Sequence, residues 1–190
     1  HADVFPGDQG SKAADLRAHL NTGLQEHLYL ATFATNAALG GRAQEFAAFG
    51  AALNQNGTDL GAAIGSLYGD QAQNQFNTIW SAHNGFFVEY TKAIAAKDDA
   101  AKQRAVNELT QQYVPQFSQF IATATGLPLD AVTSLVGDHV STTAAVVDAQ
   151  GAGDAAKASA ADQLAGQHMS MIADPLAKAI VAKLPAKFQA

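Results

Sequence analysis

From Ser11 onward the apolar residues recur every three to four positions, the period of helices with one buried face. Leu16, Leu20, Leu24 and Leu28 mark the first stripe, with His27, Leu30 and Phe33 on or beside it, and Gly40-Gly41 ends the segment after Leu39. The period resumes from about Arg42 to Tyr68 through Phe46, Phe49, Leu53, Leu60, Ile64 and Leu67. Asn56-Gly57 falls inside that stripe and predicts a local loosening. A third helix is expected from about Gln71 to Ala96. Asp98-Asp99 then offers an N-cap for a fourth from about Ala100 to Thr125, in which Pro115 predicts a kink. Gly126-Leu127-Pro128 precedes a fifth helix reaching Gln150. A sixth, capped by Asp154, runs to Pro185. The first ten residues, HADVFPGDQG, read as an extended arm, leaving 11–190 as one helical domain.

The chain also repeats itself. His27, His83 and His139 are spaced by 56 residues and lie at the same point of the three odd-numbered helices. LNTGLQEHLYLATF, FNTIWSAHNGFFVE and VTSLVGDHVSTTAA align without a gap, pairing Leu20 with Phe76 and Val132, and Leu24 with Trp80 and Val136. The same shift lays Asp98 over Asp154, and His168 over Gln112 and Asn56. Each unit, at roughly 14–69, 70–125 and 126–181, is a pair of helices with a short connection, which favours antiparallel neighbours. The expectation is an all-α fold, a six-helix up-down bundle made of three αα-hairpin repeats.

Composition agrees and narrows the function. Alanine occurs 42 times in 190 residues; it is the strongest helix former and lets helix backbones approach closely. With no cysteine, a disulfide framework and a thiolate metal site are both excluded. A net charge of −6 provides no electrostatic footprint for nucleic acid or anionic lipid, and no apolar run is long enough for a membrane span. The start at His1 is what signal cleavage or a residual tag would leave. On the first reading the protein is secreted, and the His1 amino group and imidazole form a copper-chelating pair. A homo-oligomer or a surface partner is compatible with all of this.

The candidate chemistry lies in the histidines. Equivalent positions on neighbouring helices project inward at similar heights, so His27, His83 and His139 can converge, with His168 as a fourth ligand. Met171, three residues after His168, adds a soft thioether and tips the choice of metal toward copper. Duplication of one ancestral hairpin would produce the same register of core histidines without any function. A haem held by two of the histidines, walled by Trp80, Phe87 and Tyr90, is a competing reading. Glu26 and Asp138 precede their histidines by one residue and so point to another face, as outer partners or solvated acids. No histidine has a glutamate three residues before it, which argues against a carboxylate-bridged di-iron site. No nucleophile elbow or phosphate-binding loop is present, and nothing compels an enzyme.

Through EHLYLATFATNAALGG, LNQNGTDLGAAIGSLYG, FNTIWSAHNGFFVEYTKAI and AIVAKLPAKF, the chain resembles a helical domain of secreted Gram-positive bacterial proteins often labelled copper-amine-oxidase-like. The resemblance covers most of 12–188 and implies export to the cell envelope or beyond, and an all-α domain. It also implies histidine at the positions of His27, His83 and His139, whereas the counterpart of His168 varies. Amine oxidase activity does not carry over, because the Asn-Tyr dipeptide that supplies that enzyme class with its quinone is missing. Taken together, these readings favour a secreted, non-enzymatic, copper-binding helical bundle. Its rivals are a haem carrier and a structural or cell-surface interaction module.

Overall fold

A computed structural model describes residues 10–189, so His1 and nearly all of the expected N-terminal arm lie outside the described residues. The described chain is all-helical. Its elements are α1 (Lys12–Leu39), α2 (Ala43–Tyr68), α3 (Asp70–Ala96), α4 (Asp99–Glu108), a π turn (Leu109–Tyr113), α5 (Val114–Thr125), α6 (Leu129–Gly151), α7 (Ala155–Lys183) and the short α8 (Pro185–Phe188). Local chemistry sets several of the ends. Ser11, Asp98 and Asp154 each accept a hydrogen bond from the backbone N–H three residues on, satisfying a donor that the first turn leaves open. Gly41 and Gly126 close α1 and α5 at φ +69° and +78°, a region that disfavours side chains.

Two features depart from the predicted segmentation. Asn56-Gly57 does not loosen α2, which runs through both residues with each of them buried. The fourth predicted helix, with its expected kink at Pro115, is not one regular α-helix: α4, the π turn and α5 divide it. The π turn ends two residues before Pro115, and helical backbone angles continue from Glu108 through Leu109 and Tyr113 into Val114. A wider turn suits the sequence here. Ala105, Leu109, Tyr113 and Phe117 are all buried and stand four apart, a spacing that drifts by about 40° per step around a regular helix. The π turn takes back part of that drift and keeps the four on one side.

Packing brings distant parts of the chain together: α1 lies against α2, α6 and α7, α2 against α3, α3 against α4, and α5 against α6. Inside, Leu20, Leu24 and Leu28 meet Leu60, Ile64, Phe76, Trp80, Phe117, Val132, Val136 and Met169 in one continuous apolar core. Close approach is where small residues matter. A Cβ on Gly57 would lie 2.9 Å from the Trp80 ring, so glycine is what lets the indole pass α2. Among the described residues, no helix is long and apolar enough to cross a membrane.

Candidate metal centre

The 56-residue register has a direct consequence in space. Helices α1, α3 and α6 each carry one histidine into the core at the same level, and one ring nitrogen from each of His27, His83 and His139 falls within 4.8 Å of the other two. All three are buried, His83 completely. The ring centroids of His27 lie 5.2 Å from those of His83 and 6.2 Å from those of His139.

The side chains around the cluster hold it in place. His83 donates from Nδ1 to the carbonyl oxygen of Trp80, a bond that leaves its Nε2 lone pair free and directed at Nε2 of His27, 3.3 Å away. The Tyr113 ring stacks on His83 at 4.5 Å with only 14° between planes, so the π turn supplies one wall. Trp80 covers the cluster from another side, 4.5 Å from His27 and edge-on to His83 at 4.7 Å. Nδ1 of His139 lies 3.5 Å from the Thr143 hydroxyl. Nδ1 of His27 has no hydrogen-bond partner, and neither has Nε1 of Trp80 nor Oδ1 of Asn56.

Burial keeps these imidazoles neutral. Loss of water pushes His83 down to about 3 and His139 to about 4, with His139 adding to the effect on His83 and His168 to that on His139. His27 is held well below the ordinary histidine value by the same burial, reinforced by His83 and His139. Three neutral imidazoles with ring nitrogens this close can form a nitrogen donor set. In a tetrahedral site with metal–nitrogen bonds of about 2.0–2.1 Å, neighbouring nitrogens stand about 3.3–3.4 Å apart, matching the separation between His27 and His83. The same separation also permits a single N–H···N hydrogen bond.

The remaining expected site residues lie elsewhere. Met171 is 59% exposed and does not join the cluster, contrary to expectation. The inward stripe of α7 runs through Ala165, Met169, Ala173, Leu176 and Ile180, and two further residues carry Met171 about 200° around from Met169. His168 is buried, but it stands outside the converging trio and donates from Nε2 to the carbonyl oxygen of Leu135, 3.0 Å away. Glu26 and Asp138 are exposed. Glu26 does reach back inward, accepting from the Asn56 amide, which also donates to the Gly23 carbonyl.

Of the proposed haem wall, Trp80 touches two histidines, Phe87 lines a cavity beside the cluster, and Tyr90 is turned away to donate its hydroxyl to Asp148. That cavity holds about 140 Å³, whereas pockets for sizeable ligands run to about 300–1,000 Å³. With imidazole nitrogens 3.3 Å apart, no space remains for a macrocycle between His27 and His83. Sequence reasoning missed Tyr113 and Asn56. Tyr113 had a signal, since Ala105, Leu109, Tyr113 and Phe117 are spaced by four, a spacing that suits a wide turn. Asn56 carries no such signal, and only the packing of α2 against α1 brings it to Glu26 and Gly23.

Comparison with protein-family models, with curated proteins and with solved structures finds no match to this chain.

Proposed function

We propose that the protein binds one transition-metal ion through His27, His83 and His139, and that the ion is copper in its monovalent state. The observation that carries the reading is the convergence of three buried, neutral imidazoles on one point. The trio includes no carboxylate to offset a cation's charge, and its surroundings are aromatic and aliphatic. The cost of burying an ion rises with the square of its charge, so a monovalent ion is much less penalised here than a divalent one. Copper is the first-row metal with an accessible monovalent state, and imidazole is a suitable ligand for it. Copper is thus favoured by the uncompensated charge of the site, with no thioether from the exposed Met171.

On this reading each ligand comes from one position of a hairpin unit repeated three times, and the helices make an up-down bundle. On the same reading the ion is carried or stored, and three protein ligands leave one coordination position open. The family resemblance supports an extracellular setting.

A second reading follows from the bond between His83 and His27: a metal-free polar core pair in a structural module. There Nε2–H of His27 donates to the Nε2 lone pair of His83, and Nδ1 of His27 is without a partner in this reading as in the metal-bound one. Anaerobic titration of tag-free protein with copper(I) against a chromophoric chelator separates the two. Tight binding of one equivalent, abolished by His83→Ala, is expected; no competition with the chelator would leave the structural module as the account.

A further inference from the structure

Beside the cluster lies a cavity that the metal reading alone does not use. It is lined by His27, Ala31, Ala34 and Ala38 on one side and by Phe87, Val88 and Ala95 on the other, and His139 joins His27 at its inner end. Along α1 the lining runs from position 27 to position 38, about 16 Å of helix, from the buried histidines toward the Gly40-Gly41 end of the molecule.

The repeat explains why there is space. Positions 31, 34 and 38 of α1 correspond to 87, 90 and 94 of α3, and where α3 carries Phe87, Tyr90 and Ile94, α1 carries three alanines. The first unit is thus emptied along one face at the level of the cluster and outward from it. The wall is mostly hydrocarbon, with Asn84 and Thr143 as further polar members, and two of its threonines spend their hydrogens elsewhere. Thr35 donates to Thr32 and Gln150, and Thr91 donates to the carbonyl of Phe87. Lys92, exposed, stands in the lining on the solvent side.

We propose that this passage admits a small uncharged molecule, of the size of a diatomic gas, to the open coordination position of the metal held by His27, His83 and His139. The inference rests on the metal reading and adds its ligand class. An apolar wall imposes a desolvation cost on ions and strongly polar solutes, and a cavity of about 140 Å³ is too small for a sizeable cofactor. A small apolar guest incurs neither cost; dry apolar cavities of about 150 Å³ take up benzene or xenon.

Carbon monoxide is the probe. Protein loaded with one equivalent of copper(I) is exposed to the gas and read by infrared spectroscopy. The expected result is one narrow carbonyl stretch, indicating a single environment shielded from water. Ala31→Phe places in α1 the residue that α3 already has and should keep copper while losing the band. Ala38→Phe, nearer the outer end and only half-buried in the native chain, should slow the band's appearance, and it keeps the test open if Ala31→Phe fails to fold. Copper bound with no carbonyl band, or an unchanged band in both folded variants, would overturn the passage while leaving the metal site standing. Failure of the wild-type protein to bind copper removes the metal site and the passage together.

Discussion

At the scale of single residues, the cluster separates groups by what their second nitrogen does. His83 is anchored through Nδ1 to the Trp80 carbonyl, and a ligand so oriented is hard to replace. His83→Ala should weaken copper(I) by more than the roughly 100-fold that loss of a mere orienting partner costs, measured by chelator competition. His168→Ala should leave that affinity unchanged, because its Nε2 is committed to Leu135; a comparable loss would bring His168 into the ligand set. Gly57 tests the packing around the site without touching a ligand. Gly57→Ala sets a methyl 2.9 Å from the buried Trp80 ring and should destabilise by about 1–3 kcal/mol in urea unfolding. An unchanged midpoint would mean that the indole can move aside.

Among the elements, the π turn contributes most to the site that regular periodicity would not. It brings Tyr113 onto the face of His83 with Leu109 and Phe117 on the same side. Tyr113→Ala empties that wall and should cost about 3–5 kcal/mol, as large aromatic truncations in cores do. Tyr113→Phe should be close to neutral, since stacking on His83 needs the ring and not the hydroxyl. If both variants unfold at the same urea concentration as the wild type, the wall is not part of the core. Helix α7 shows the opposite case, in which the period was legible but its phase was not. A histidine and two methionines lie within four positions, and only the packed stripe reveals that Met169 is inside and Met171 outside.

For the molecule as a whole, burying three imidazoles makes stability depend on pH. Unfolded, each titrates near pH 6.5; folded, burial holds His83 at about 3, His139 at about 4 and His27 well below its ordinary value. Between these limits the unfolded chain binds more protons, so stability is full above about pH 6.5 and falls as pH is lowered toward 4. Each imidazole contributes a slope of up to about 1.4 kcal/mol per pH unit, and three together rival a whole domain's stability of about 5–15 kcal/mol within a few units. Urea midpoints of the metal-free protein at pH 7, 6 and 5 should drop steeply, and His83→Ala should flatten the curve. A bound ion acts in the other direction: at 1,000 times its dissociation constant it adds about 4 kcal/mol, so chelation should lower the melting temperature at neutral pH.

What the chain determined by itself is the part that depends on local order. Helices follow from three-to-four periodicity, two of their starts from Asp98 and Asp154, and the matched placing of His27, His83 and His139 from an equal spacing of 56 residues. Convergence of those three is close to a corollary, because equal positions in neighbouring helices stand at equal heights. The rest needed tertiary packing, since it depends on angles around each helix and on which surfaces meet. The exclusion of Met171, the diversion of His168 to Leu135, the stacking of Tyr113 and the empty face of alanines beside His27 are all of that kind. Periodicity states that a face is buried, but only the neighbouring helix decides what that face touches.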